Sequence, residues 1–192
     1  MIEIPGDALV LLVGAAGSGK STLAARLFPA GAILSSDALR AELSGDPANQ
    51  AASARAFRIL HVRAAQRLAR GQLTVIDATN ISGSARRPLR RLAAGQGRPV
   101  VTLVLDLPAA VCLARNAGRI ERIVPEAVIQ RQLATLRRTI DQGQLVAEQP
   151  GRIVVLASPE AVEAMTVRLT DPAQATTLSS AASSRRGRSD HP

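Results

Sequence analysis

The chain alternates between two patterns of apolar and polar positions. Short runs that are apolar at nearly every position are separated by longer stretches whose apolar residues recur at helical spacing. Short continuous apolar runs suit strands buried on both faces, and their alternation with helical stretches marks a parallel α/β sheet. Five runs qualify: 8–13 (ALVLLV), 31–35 (GAILS), 73–77 (LTVID), 100–106 (VVTLVLD) and 152–157 (RIVVLA). Between them the spacing predicts helices over 21–28, 37–43, 50–70 and 83–94, with 44–49 (SGDPAN) as a loop. Pro108 and Pro125 each open a further helix, the second reaching about Asp141. Proline suits a first helical turn because the N–H it lacks has no partner there. The segment 159–169 (PEAVEAMTVRL) closes the fold. The expectation is one α/β domain over 1–171, a doubly wound, parallel five-stranded sheet with helices on both faces. Residues 172–192, rich in Ser, Ala and Arg, are expected to form a disordered basic tail.

Composition narrows the class. A chain of 192 residues that is 46% hydrophobic can bury one well-packed core. No run approaches the roughly 18 apolar residues of a membrane span, and the opening MIEIPGD lacks a basic segment followed by an apolar one. Cys112 is the single cysteine, which excludes an internal disulfide framework and a cysteine-rich zinc site. A cytoplasmic protein with no membrane partner is expected. The net charge of +9 comes from 23 arginines and one lysine, Lys20. A GC-rich genome produces this bias, so the charge by itself points only weakly to a polyanionic partner. The bias makes the one lysine informative, because a compact ammonium on a flexible stem persists at a single position.

Lys20 lies in Gly14-Ala15-Ala16-Gly17-Ser18-Gly19-Lys20-Ser21-Thr22, between an apolar strand and a helix. In that context GxxxxGKS is a phosphate-binding loop. Glycines let successive N–H groups point inward, and the helix N-terminus adds partial positive charge. The pattern assigns Lys20 to the β- and γ-phosphates and the Ser21 hydroxyl to Mg²⁺, with residues 14–22 cradling the nucleotide. A GTPase is excluded, since its Asn-Lys-x-Asp motif needs a second lysine. LSGDP lacks the continuation of an ABC signature, and the chain is short for an AAA+ module with its lid domain. A small phosphotransferase remains.

Three further clusters fall where the crevice of a doubly wound sheet lies, beyond the carboxyl ends of the strands. Ser35-Ser36-Asp37-Ala38-Leu39-Arg40 follows the second strand. Asp37 in that place can orient an acceptor hydroxyl and take its proton. Ser36 or Asp37 would serve equally well as a helix N-cap, but a cap leaves Arg40, one turn on, unexplained. Asp77-Ala78-Thr79-Asn80 follows the third strand; Asp77 either holds a metal-bound water or braces the crevice, and the supporting role is favoured. Arg115 and Arg119, four apart with Gly118 between them, form an arginine segment with Arg122 that can close over a triphosphate. A solvated basic face would have the same composition.

Together, GAAGSGKST, SSDALR, VIDATN and RNAGR followed by VPEAVI resemble the 5′-polynucleotide kinases, over about Leu9 to Leu136. The resemblance implies a P-loop kinase fold with a small arginine-bearing lid, ATP and Mg²⁺ as cofactors, and a 5′-hydroxyl nucleic acid end as partner. It implies that Asp37 is the general base and that Arg40 contacts the phosphate on the 3′ side of the terminal nucleotide. Arg119, with Arg115 a turn earlier, would engage the ATP phosphates, while Asp77 and Asn80 fall in the family's motif after the third strand. Two departures stand out. The known repair enzymes carry further domains, and this chain has no Trp or Tyr and only Phe28 and Phe57 for stacking on bases. Recognition would then rest on arginine–phosphate contacts, with the run Arg86, Arg87, Arg90 and Arg91 as candidates for tracking a backbone or as a solvated helix face. The alternatives are a P-loop kinase acting on a small hydroxyl compound (sugar, nucleotide sugar, antibiotic or nucleoside) and a non-catalytic ATP-binding protein.

Overall fold

The computed structural model describes residues 1–45, 51–119, 123–148 and 151–172. Its centre is a parallel five-stranded sheet built from β2 (Leu9–Gly14), β3 (Ile33–Ser35), β4 (Thr74–Asp77), β5 (Val100–Leu105) and β6 (Arg152–Leu156). The spatial order is β3-β4-β2-β5-β6, and every neighbouring pair is parallel. All five sequence-read strands are therefore present. The second is shorter than read, because residues Ala30–Ala32 form a 3-10 turn ahead of it.

Period-two alternation on the central strand sends its side chains to opposite faces. Val10 and Leu12 pack with Leu23 of α1 (Lys20–Leu27), Cys112 of α5 (Ala109–Ala117) and Ile129 of α6 (Glu126–Asp141). Leu9 and Leu11 pack with Leu39 of α2 (Ser36–Ser44), Leu89 of α4 (Gly83–Gly95) and the face of α3 (Ser53–Ala69). That face is Ala56, Leu60, Ala64 and Leu68, four residues apart and fully buried, the spacing that keeps one stripe of a helix on the sheet. The chain winds from β2 out to β3, back to β4, and then across to β5. The order reverses at β2, so a ligand crevice opens at its carboxyl end.

Two strands were not read from the pattern. The opening residues form β1 (Ile2–Pro5), which pairs in parallel with β7 (Val167–Thr170) in a separate two-stranded sheet. Ile2 and Ile4 of β1 belong to the main core. The remaining short helices are α7 (Gln144–Ala147) and α8 (Pro159–Glu163). No described helix is long and apolar enough to cross a membrane.

Candidate active site

The loop from β2 to α1 owes its shape to glycine. Gly17 and Gly19 have φ of +79° and +91°, the left-handed region that only glycine enters without strain. Space is limiting as well: a Cβ on Gly17 would stand 2.1 Å from the Cys112 carbonyl oxygen. The loop thus rests directly on the backbone of α5. The Cys112 thiol is buried beneath it, and burial pushes its pKa up against the opposing pull of Lys20 and Arg115. Lys20 Nζ donates to the Ala15 carbonyl at 2.7 Å and lies 3.4 Å from Ser18 Oγ, curled over the loop it serves. Ser21 and Thr22 are exposed at the start of α1.

The cap of α2 is Ser35, whose Oγ accepts the Ala38 N–H at 3.4 Å. The cap expected at Ser36 or Asp37 falls one residue earlier, and Asp37 is left in the first turn, where a negative charge faces the helix dipole. Its carboxylate forms an ion pair with Arg40. The Arg40 side chain is 5% exposed and that of Asp37 44% exposed, so the buried guanidinium presents the carboxylate toward the crevice.

Asp77 is buried at the end of β4 and makes no ion pair among the described residues. Asn80 serves the scaffold, with its Nδ2 donating to the Leu12 carbonyl at 2.9 Å and its φ at +47°. The Gly14 N–H donates to the Thr79 carbonyl at 3.2 Å, so the β4 loop and the P-loop are tied twice.

Arg115 ends α5 near the P-loop; a Cβ on Gly19 would lie 3.3 Å from its Nη1. Arg119 reaches the wall of the cleft that Lys20 and Ser21 line. Arg122 lies outside the described residues. A residue that sequence reasoning passed over governs this segment: buried Asn116 donates to the Val124 carbonyl (2.9 Å) and accepts the Val124 N–H (3.0 Å). That two-way bond ties the last turn of α5 to Val124, just ahead of α6. Gln132 on α6 was also missed, and its Oε1 accepts the Ala16 N–H at 2.8 Å.

These elements enclose a cleft of about 50 Å³ whose walls include Ala16, Lys20, Ser21, Asp37, Asp77, Arg119 and Gln132. Beside it lies a cavity of about 590 Å³ bounded by Arg40, Ser53, Phe57, Thr79, Val124 and Val128. A third, of about 370 Å³, shares Phe57, Thr79, Val128 and Gln132 and extends to Ile81, Ala85 and Arg131. Of the two aromatic residues, Phe28 is in the core and Phe57 lines these cavities.

Half of the arginine run on α4 is occupied elsewhere. Arg86 is 1% exposed; its Nε donates to Glu148 at 2.8 Å and its Nη1 to the Asn80 and Ile81 carbonyls. Arg90 approaches the same glutamate at 3.5 Å. Arg86 spends its donors on Glu148 and two carbonyls and lines none of these cavities, so Arg87 and Arg91 are the exposed arginines of that run.

The reversed strand order, the phosphate loop at the end of the central strand and the acidic α2 turn define a P-loop nucleotide-binding protein with the kinase fold. The chain belongs to the AAA_33 family, described as an AAA domain, whose model matches residues 9–139. Despite that description, α6 packs its Ile129 and Leu136 onto the sheet and forms no separate lid domain among the described residues. A thymidylate kinase from Geobacter sulfurreducens is 36% identical over 87 residues, spanning 43% of this chain and 41% of that protein. Among solved structures, a chain of the Pnkp1/Rnl/Hen1 RNA repair complex superposes with a TM-score of 0.61 at 22% identity, over 74% of this chain and 47% of that one. A sugar kinase from Janibacter sp. HTCC2649 gives a TM-score of 0.53 at 24% identity, over 90% and 91%. At these identities the structures share the fold. The chain spans less than half the length of the thymidylate kinase and of the repair-complex chain.

Proposed function

We propose that this protein is an ATP-dependent phosphotransferase that moves the γ-phosphoryl group to the 5′-hydroxyl of a polynucleotide end. The observation that carries the reading is the Asp37–Arg40 pair, a carboxylate presented beside the P-loop lysine with a buried guanidinium behind it. In the reaction, Asp37 accepts the proton of the acceptor hydroxyl as its oxygen forms a bond to the γ-phosphorus. The bond from that phosphorus to the β–γ bridging oxygen breaks, and ADP leaves with the electron pair. Lys20 and the loop N–H groups offset charge on the phosphates, and Arg115 and Arg119 cover them. Mg²⁺ fits the exposed Ser21 hydroxyl and the Asp77 carboxylate, which share one wall of the cleft; when bound it would supply charge neutralisation to the phosphate oxygens. Arg40 fits a phosphate on the acceptor, and Phe57 offers the larger cavity one aromatic face for a base.

The second reading is transfer to a small hydroxyl compound, and the near-complete overlap with the sugar kinase favours it. Incubation with γ-labelled ATP, Mg²⁺ and 5′-hydroxyl DNA and RNA oligonucleotides separates the two. Labelled oligonucleotide is the expected result. ATP turnover with a sugar and nucleoside panel, while both oligonucleotides stay unlabelled, overturns the polynucleotide acceptor.

A further inference from the structure

Gln132 stands at the junction of all three cavities, on the wall shared by the P-loop, the acidic α2 turn and α6. Its contact with the P-loop spans 116 positions of sequence, and it fixes which end of the amide faces which way. A backbone N–H has only a proton to give, so the oxygen of the side chain must face Ala16 and the nitrogen must face away. The Nε2 group therefore carries two donors, and neither bonds to a described residue. The nearby groups on the same cleft wall are Lys20, Ser21, Asp37 and Arg119, the set that brackets the transferred group in the reaction proposed above.

We propose that Gln132 donates from Nε2 to an oxygen of the transferring phosphoryl group, held in aim by the Ala16 N–H. The inference rests on the phosphotransfer reading and adds a catalytic donor that no motif carries. Charge in phosphoryl transfer spreads over the three non-bridging oxygens of the moving group. Lys20 and the arginines answer it with full charges on long side chains, whereas an amide clamped at one end is a fixed dipole that need not reorganise as the reaction proceeds. The aim of the donor is set by α6, whose Ile129 and Leu136 are fixed in the core.

Two substitutions separate donation from docking. Gln132→Glu has nearly the same shape and still accepts the Ala16 N–H, but offers oxygen where the amide offered N–H. Gln132→Met removes both functions without adding charge. Each is measured for kcat at saturating ATP and acceptor, for ADP affinity and for Tm beside the wild type. The expected result is a fall in kcat on the order of 10²–10³-fold for both variants, as for loss of one preorganised donor, with unchanged Tm and, for Gln132→Met, unchanged ADP affinity. If Gln132→Glu keeps the wild-type kcat while Gln132→Met falls, the side chain only docks the helix and the donor role is overturned. Wild-type kcat in both variants overturns any role for the residue. A wild-type protein that transfers phosphoryl to no acceptor overturns the phosphotransfer reading and this inference with it.

Discussion

The two halves of the crevice are built by different means. On the phosphate side the geometry is held in the main chain: glycine conformations at positions 17 and 19, a loop resting on the Cys112 carbonyl, and N–H groups at a helix start. On the acceptor side it is held in side chains: the Asp37–Arg40 pair, the Arg86–Glu148 pair and the walls set by Phe57 and Val128. A site made of backbone admits few substitutions, since a new side chain displaces the main chain itself. A site made of side chains can be refitted one residue at a time while the sheet stays as it is. That difference is consistent with one fold being shared by a chain of an RNA repair complex and a sugar kinase, and it explains why the phosphate half is the easier one to read.

Three substitutions put the contrast at risk, in order of expected effect. Asp37→Asn keeps the shape and an oxygen toward Arg40 but removes the base. Transfer should fall about 10²–10⁴-fold in a single-turnover assay while nucleotide affinity, by titration, stays at the wild-type level. Equal loss of both would make Asp37 part of the frame. Arg86→Met strands Glu148 and frees two carbonyls, so chemical denaturation should report a loss of about 3–5 kcal/mol, with a raised acceptor KM in the folded protein. Unchanged stability together with weaker, salt-dependent oligonucleotide binding would instead restore a phosphate-tracking role to that arginine. Gly17→Ala forces a methyl group against the α5 backbone, at a cost of about 1–3 kcal/mol. Calorimetry should show nucleotide binding weakened about 10- to 100-fold, and unaltered affinity would mean that the loop yields to the added methyl group.

The sheet was legible because each of its strands is a nearly unbroken apolar run, and buried parallel strands tolerate little else. The P-loop was legible because its whole geometry is written in nine consecutive residues. The β1–β7 pair was not, since Ile2–Pro5 and Val167–Thr170 are four residues each and neither is a stable strand without the other. The α2 cap was misplaced by one position within Ser35-Ser36-Asp37, where all three residue types can cap. Asn116 and Gln132 left no trace because neutral amides on helices are ordinary, and each acts on a main-chain group that every sequence contains. Arg86 misled for a related reason. In a chain rich in arginine a basic run looks like a binding face, and the partner that buries it lies 62 positions away.

The small outer sheet has a consequence for the order of events in making the protein. Its two strands carry Glu3 and Arg168, an ion pair whose members are 165 positions apart. During synthesis the first strand leaves the ribosome before any of the central sheet and its partner leaves after all of it. The pairing that joins these two strands is therefore the last strand pairing to become available. Until then Ile2 and Ile4 lack the strand that lies beside them in the finished fold.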